Sequence, residues 1–248
     1  MTKIKICGLS RDEDISFVNE AKPDYCGFII HFPKSHRNVT PDRARELIRG
    51  LDRSICPVGV FVNEPMETIL SLTEDGTLGA VQLHGQESTE YVEELKEKLR
   101  QQEAAASADQ REVDAPAGQK ISGCEGGRGR TVTLIQAFKI LSAEDVKRAG
   151  ESAADYILLD QGAGGTGETF DWSLVPAIKR PWFLAGGLTP ENVAEALNVT
   201  IPYGVDVSSG VETDRVKDYH KIKSFIQNVR SYEENKGQPT PIKYKKGE

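Results

Sequence analysis

The sequence alternates eight short apolar runs with helical patterns, and this alternation constrains the fold more than any other feature. The runs are rich in β-branched residues, which is typical of strands buried on both faces of a parallel sheet. The predicted strands are Lys3–Cys7, Tyr25–Ile30, Val58–Val62, Gly79–Leu83, Val132–Phe138, Asp155–Leu159, Trp182–Ala185 and Tyr203–Val207. The helices with clear start signals are predicted at residues 40–49, 88–99, 142–148, 189–197 and 213–229.

Eight strand–helix units predict an α/β fold, a single (β/α)8 TIM barrel with a parallel central sheet. The barrel is expected to occupy residues 1–230. A doubly wound open sheet is the alternative that the pattern leaves open. In a barrel, reactive side chains follow the carboxyl ends of the strands, and the loops from helix to strand lie on the opposite face.

Two polar segments dilute the apolar content of the chain. Residues 101–130 are rich in Ala, Gln, Gly and charge, so they cannot bury enough apolar surface to offset the entropy of ordering. We expect a mobile insertion here, between helix 4 and strand 5, on the face opposite to the chemistry. Residues 231–248 are expected to form a solvated C-terminal tail for the same reason.

The composition argues against several classes of function. The 248 residues carry a formal net charge of −7, which disfavours a nucleic-acid-binding protein. No apolar run approaches the ~20 residues that span a bilayer, and the N-terminus lacks a signal-peptide pattern. The four cysteines show neither CxxC nor Cys/His ligand spacing. We therefore expect a reduced, cytoplasmic protein without a metal site and without nucleic-acid or membrane partners.

Polar and glycine residues follow the last two predicted strands, at the rim where this fold places ligands. They are Gly186 and Gly187 after strand seven, and Ser208, Ser209 and Gly210 after strand eight. Backbone N–H groups in such loops can approach an anion closely, so the paired loops predict a phosphate site. Tight turns without a ligand are the alternative. The glycine-rich loop around Gly165 can add donors to the same phosphate or act as a flap.

Two side chains at this rim can exchange protons with a substrate. Cys7 ends strand one, where a thiolate can act as a base, although most free cysteines are simply small buried residues. Asp160 follows the apolar run of strand six. A carboxyl group against apolar surface gains proton affinity, as a general acid requires. The alternative role of Asp160 is to cap the following turn.

Three further residues at the strand ends are candidates for binding the substrate. Arg37 can hold a carboxylate through two hydrogen bonds, and a surface arginine next to a helix start is the alternative. His84 can bind the substrate or satisfy a turn. Asp206 lies between two valines of strand eight, from which it can orient the site.

Taken together, the strand-end motifs resemble those of the phosphoribosylanthranilate isomerases, a family of tryptophan biosynthesis. The similarity covers essentially all of residues 1–230 in the family's order. The motifs are KICGL at 5–9, GFI at 27–29, SHRNV at 35–39, VGVFVN at 58–63, VQLHG at 81–85, LD at 159–160, GGTG at 164–167, FDW at 170–172, AGGL at 185–188 and GVDVSSGVE at 204–212. His36 departs from the family, which usually has proline there. So long an insertion and tail are also unusual for the family.

The resemblance implies an Amadori rearrangement without cofactor or metal. N-(5-phosphoribosyl)anthranilate becomes 1-(2-carboxyphenylamino)-1-deoxyribulose 5-phosphate, the third step from chorismate to tryptophan. It implies Asp160 as the general acid that opens the ribose ring, Cys7 as the base at C2 of the sugar, and Arg37 as the partner of the anthranilate carboxylate. The phosphate-binding residues that it implies are Gly186, Gly187, Ser209 and Gly210. We expect a small-molecule substrate, and a monomer rather than a dimer.

Two other interpretations are weighed against this one. Another phosphate-binding barrel isomerase or epimerase would carry paired catalytic aspartates or metal-ligating histidines at the strand ends, and the sequence shows neither pattern. A catalytically silent barrel that serves as an interaction module would be expected to lack Cys7 or Asp160. Both residues are present.

Overall fold

The computed structural model describes residues 1–109, 132–161 and 178–235, and eight parallel strands in them form a barrel. The barrel strands are β1 (Lys3–Cys7), β2 (Tyr25–Ile30), β4 (Cys56–Phe61), β5 (Ala80–Leu83), β6 (Thr133–Ile140), β7 (Tyr156–Gln161), β8 (Trp182–Leu184) and β9 (Gly204–Val207). Three two-residue strands are added to them. They are β3 (Asn38–Val39), which pairs with β2, and β10 (Glu212–Thr213) and β11 (Val216–Lys217), which pair with each other.

The first strand closes the barrel. β1 pairs with β2 on one side and with β9 on the other, and the remaining neighbours run in the order β9, β8, β7, β6, β5, β4, β2. An open doubly wound sheet would leave two strands at its edges, so that alternative is wrong. The predicted TIM barrel is confirmed.

Seven helices lie within the described ranges. They are α1 (Asp12–Ala21), α2 (Pro41–Arg49), α3 (Met66–Glu74), α4 (Thr89–Asp109), α5 (Ala143–Gly150), α6 (Val193–Val199) and α7 (Tyr219–Asn235). The predicted caps of α2 and α5 are confirmed: Thr40 Oγ1 accepts the Arg43 N–H at 3.1 Å, and Ser142 Oγ accepts the Asp145 N–H at 3.4 Å. None of these helices is long and apolar enough to cross a membrane.

Side-chain alternation along β1 separates an outer from an inner core. Ile4 and Ile6 are fully buried in the larger apolar cluster, which contains the helix residues. Lys5 and Cys7 lie on the opposite face of the strand and are also buried. The smaller cluster is formed by inward-facing residues of the other strands, Tyr25, Cys56, Val58, Ala80, Ile135, Leu158, Phe183 and Ala185.

Helix α4 is longer than predicted. It runs to Asp109, so residues 101–109 are helical and the predicted start of the insertion at residue 101 is wrong. Ala, Glu and Gln dominate this stretch and are good helix formers. Gln102 also contacts α3, because its side-chain oxygen accepts the Thr73 hydroxyl at 2.9 Å. The remainder of the predicted insertion, residues 110–130, lies outside the described residues.

The last helix begins later than predicted. It starts at Tyr219, not at Thr213 or Asp214, because residues 212–217 form the hairpin of β10 and β11. The carboxylate of Asp218 accepts two N–H groups of the first helical turn, at 2.9 and 3.2 Å. These bonds cap the helix at its true start.

The same helix also ends later than predicted. It continues to Asn235, so the predicted start of the tail at residue 231 is wrong. The Tyr232 hydroxyl donates to the Leu197 carbonyl at 2.8 Å and ties the last turns to α6. Residues 236–248 lie outside the described residues.

Candidate active site

Cys7 ends β1 at the carboxyl rim of the barrel, and Gly8 turns the chain away. Gly8 has a φ of +80°, a conformation that favours glycine, and its N–H donates to the Gly27 carbonyl at 2.8 Å. The Ser208 hydroxyl, just after β9, donates to the Cys7 carbonyl at 3.0 Å. The thiol therefore sits on a strand end that both neighbouring strands hold in place.

A buried ion pair lies next to the thiol. Lys5 Nζ donates to Asp206 Oδ1 at 2.9 Å, and the Lys5 side chain is 0% exposed. Lys5 Nζ and Cys7 Sγ lie against the same face of Gly27, because a Cβ at Gly27 would come within 3.1 Å of one and 2.7 Å of the other. Burial by itself lowers the pKa of Lys5, but attraction to Asp206 and Cys7 outweighs burial and raises it, so the ammonium stays charged. Asp206 was predicted to bind the substrate, and in the structure its carboxylate is engaged by Lys5.

Burial raises the pKa of the Cys7 thiol, because a thiolate is poorly solvated there. The Lys5 ammonium opposes this rise, Asp206 adds to it, and Lys217 opposes it from β11. The charges around the thiol therefore shift its pKa in both directions: Asp206 disfavours the thiolate, whereas Lys5 and Lys217 favour it.

Arg37 lies over Gly8 and is held by Glu212. Its Nε and Nη2 donate to the two Glu212 oxygens at 2.6 and 2.7 Å, which is a bidentate pair. Lys217 Nζ donates to the same carboxylate at 2.6 Å and to the Ser208 carbonyl at 2.9 Å. Burial by itself raises the pKa of Glu212, but Arg37 and Lys217 outweigh burial and lower it to about 2. Arg37 is thus oriented beside the thiol by an ionised partner.

Asp160 lies in β7 and faces His84, which follows β5. His84 Nε2 is 3.3 Å from Asp160 Oδ2, and the two side chains are 37% and 32% exposed. Gln82 Nε2 lies 2.8 Å from His84 Nδ1. When the Gln82 amide N–H donates to that ring nitrogen, the other ring nitrogen, Nε2, carries its N–H toward Asp160. The carboxyl group is more open to solvent than the apolar run before it predicted.

The loops after β8 and β9 touch each other at the rim. Gly186 and Gly187 have φ values of +86° and +67°, which favour glycine. Gly210 belongs to a short 3-10 helix, Ser209–Val211, and packs so closely that a Cβ there would overlap the Leu188 carbonyl oxygen. Two backbones that approach this closely are the arrangement that an anion-binding loop pair needs.

Replacement of Gly210 by alanine is expected to force the two loops apart. We expect a loss of about 1–3 kcal/mol in the free energy of unfolding, as for other overpacked sites, and weaker binding of inorganic phosphate. Gly150→Ala is the matched control, because a Cβ at Gly150 meets nothing within 4 Å. Denaturant unfolding and calorimetric titration measure both effects, and equal stability of the two variants would contradict the close packing.

The predicted site residues fall into two groups at one rim. Around β1 and β9 lie Cys7, Arg37, Asp206, Ser208, Ser209 and Gly210, with Gly186 and Gly187 after β8. His84 and Asp160 lie together at β5 and β7. Strands β8 and β9 separate β1 from β7 along the barrel wall. Gly165 lies outside the described residues.

Three charged residues of the site were not predicted as site residues from the sequence. They are Lys5, Glu212 and Lys217. Lys5 carried the clearest signal, because it lies two residues before Cys7 and so shares one face of the predicted strand with it. Glu212 was noted only as the last residue of the family motif at 204–212, without a role, and Lys217 was included in the helix predicted at 213–229, where charged residues are ordinary.

The closed barrel, with its polar site at the carboxyl ends of the strands, defines a (β/α)8-barrel enzyme. The chain matches the family model described as N-(5'phosphoribosyl)anthranilate (PRA) isomerase over residues 4–124 and 118–228. The chain belongs to this family.

Curated relatives and solved structures agree with this assignment. N-(5'-phosphoribosyl)anthranilate isomerase of Caldanaerobacter subterraneus subsp. tengcongensis is 40% identical over 236 residues, which cover 93% of this chain and 98% of the relative. The isomerase of Acetivibrio thermocellus is 41% identical over 239 residues, 93% of this chain and 96% of the relative. The crystal structure of phosphoribosyl anthranilate isomerase from Thermotoga maritima superposes with a TM-score of 0.74 at 35% identity, covering 93% of this chain and all of that one.

Proposed function

We propose that this protein catalyses the Amadori rearrangement of N-(5-phosphoribosyl)anthranilate to 1-(2-carboxyphenylamino)-1-deoxyribulose 5-phosphate in tryptophan biosynthesis. Family membership supports the reaction. A further solved relative, 34% identical over 93% of this chain, with a TM-score of 0.71, is described in complex with the reduced form of that product. The single observation that carries the proposal within this chain is the thiol of Cys7 beside a buried cation, at the same rim as the carboxyl group of Asp160.

Asp160 starts the reaction as the general acid. Its proton goes to the ring oxygen of the ribose, the bond from that oxygen to C1 breaks, and the nitrogen lone pair forms a Schiff base with C1. The His84 N–H lies toward the carboxylate that is left behind and stabilises its negative charge. A partly open carboxyl group can regain its proton from water for the next turnover.

Cys7 completes the reaction as the base. The thiolate takes the proton from C2, and the electron pair of that bond moves through C1 to the nitrogen, which gives the enolamine. A proton then returns to C1 while the C2 hydroxyl gives up its proton, and the enolamine becomes the ketone. No atom is gained or lost, so the chemistry needs only an acid and a base with opposite proton affinities.

Arg37 is proposed to hold the anthranilate carboxylate. Glu212 engages its Nε and Nη2, and its Nη1 has no hydrogen bond within the described part of the chain. The guanidinium can therefore bind the substrate without leaving Glu212. The loops with Gly186, Gly187 and Gly210 are proposed to hold the phosphate at the other end of the substrate.

Arg37→Ala is expected to raise KM by about 10–100-fold with a smaller change in kcat, because a charge-assisted hydrogen bond to a carboxylate contributes about 1.5–3 kcal/mol. Arg43→Ala is the control, since Arg43 pairs with Asp12 and Glu46 at the surface. Steady-state kinetics measure both. An unchanged KM in Arg37→Ala would refute the carboxylate role and leave the acid and base untouched.

The test of the proposed function is the fluorescence of phosphoribosylanthranilate, which is lost as the substrate is converted. Addition of the purified protein is expected to speed this loss catalytically, with the ketose phosphate as the product. If the protein leaves the substrate unconverted, the proposal fails and a silent barrel becomes the better explanation. Conversion of other sugar phosphates instead would favour the alternative barrel isomerase.

We propose further that the protein works in the cytoplasm as a monomer, on a small-molecule substrate. One solved relative is described as monomers of the dimeric isomerase from Thermotoga maritima, so that description names both a monomer and a dimer of the relative. Light scattering on the purified chain measures its mass directly. A mass of two chains at micromolar concentration would replace the monomer by a dimer.

A further inference from the structure

β1 carries a second inward side chain that the reaction above does not use. Lys5 is two residues before Cys7, so both side chains lie on the same face of the strand. The Lys5 side chain is completely buried, which is rare for a lysine. Its register partner across the closing strand pair is Asp206, whose carboxylate receives its hydrogen bond at 2.9 Å.

Lys5 and Cys7 are packed together against β2. A Cβ placed on Gly27 would come within 2.7 Å of Cys7 Sγ and 3.1 Å of Lys5 Nζ. The absence of a side chain at Gly27 therefore makes room for the thiol and the ammonium side by side. Attraction between the two groups raises the pKa of Lys5 and opposes the rise in the pKa of Cys7.

The charges around Cys7 determine how readily its thiolate forms. A thiolate loses its solvation when it is buried, so it forms there only if a nearby positive charge replaces the water. The charged groups that act on Cys7 are Lys5 on its own strand, Asp206 on β9 and Lys217 on β11, whereas the Cys26 thiol lies in the outer cluster behind β2. Lys217 pairs with Glu212 at 2.6 Å and Lys5 with Asp206 at 2.9 Å, but Lys5 is the cation that shares the space over Gly27 with the thiol.

We propose that Lys5 is a positioning residue for the rearrangement: held by Asp206, its ammonium stabilises the Cys7 thiolate and keeps the sulfur aimed at the substrate. The proposal rests on the role of Cys7 as the base. Asp206 acts on the thiolate indirectly, because its carboxylate holds the Lys5 ammonium in place. Lys5 is completely buried two residues before the end of β1, so we assign it an effect on the thiol and not a step of the reaction.

The test replaces Lys5 by methionine, which keeps the length of the side chain and removes the charge. The thiolate is titrated by its ultraviolet absorbance, as the difference between each protein and the same protein with Cys7→Ser. We expect the midpoint in Lys5→Met to rise by one pH unit or more, since the remaining Asp206 carboxylate repels a thiolate. At neutral pH kcat then falls by about tenfold or more, and it recovers as the pH rises.

Lys3→Met is the matched control. Lys3 is on the same strand, pairs with Asp24 at 3.3 Å and is partly exposed, and Asp24 keeps Arg230 as a second partner at 2.9 Å. Its thiolate midpoint should equal that of the wild type. An unchanged midpoint in Lys5→Met, or a loss of kcat that is the same at every pH, would mean that Lys5 is only structural and would overturn the proposal.

A double variant covers the case in which the single variant does not fold. Lys5→Met/Asp206→Asn removes both buried charges, so no unpaired carboxylate is left in the barrel. Its thiolate midpoint should still exceed that of the wild type, because the nearer of the two charges was the ammonium. A midpoint at or below the wild-type value overturns the proposal. Near-normal turnover in Cys7→Ser would instead refute the base itself, and the thiolate titration separates these two failures.

Discussion

Cys7→Ala is expected to lower kcat by about 10²–10⁴-fold, which is the usual contribution of a positioned acid or base. Alanine has no group that can take the proton from C2. Folding should be retained, because the side chain is small and its carbonyl still accepts the Ser208 hydroxyl. Loss of substrate fluorescence measures kcat, and circular dichroism checks the fold.

The control for this variant is Cys26→Ala. Cys26 pairs in register with Ile6, one residue from Cys7, but it belongs to the outer apolar cluster and not to the rim. Its loss is expected to reduce stability and to leave kcat within a few-fold of the wild type. A Cys7→Ala protein with near-normal turnover would remove the thiol from the mechanism.

Asp160→Asn is expected to lower kcat by about 10²–10⁴-fold as well. The amide keeps the shape of the carboxyl group and its place beside His84, but it cannot give a proton to the ring oxygen. KM should change little, because neither the proposed carboxylate partner nor the phosphate loops are touched. Steady-state kinetics on the folded variant separate the two parameters.

Asp155→Asn is the control, because Asp155 directly precedes β7 and lies at the opposite end of that strand from Asp160. Asp155 accepts the Leu134 N–H at 2.9 Å and pairs with Lys96 at 2.6 Å, far from the carboxyl rim. It should lose stability but keep its turnover. If Asp160→Asn turned over as fast as this control, the general acid would have to be another group.

The strands could be predicted because their signal is local. β1 and β2 have their predicted bounds, since each is a short apolar run closed by a turn residue. β4 begins at Cys56, earlier than predicted, because Pro57 interrupts the pattern although a strand tolerates it there. Helix ends were harder, because residues 101–109 have no apolar stripe and are helical through intrinsic propensity.

The strand ends of the candidate site were predictable for the same reason, and its ion pairs were not. Cys7 and Asp160 each follow an apolar run, so their position at the rim can be read from a few neighbouring residues. The pair of Arg37 with Glu212 joins positions 175 residues apart, and that of Lys5 with Asp206 joins positions 201 apart. Only closure of the barrel brings such partners together, so no sequence spacing predicts these ion pairs.

Because β1 closes against β9, the beginning of the chain depends on its end. A ribosome that makes this protein delivers Lys5 and Cys7 first, and it delivers Asp206 only after nearly the whole barrel has been synthesised. Until then the lysine has no counter-charge, and the first strand has no neighbour on one side. The buried ion pair beside Cys7 therefore forms only when the first and last strands of the barrel meet.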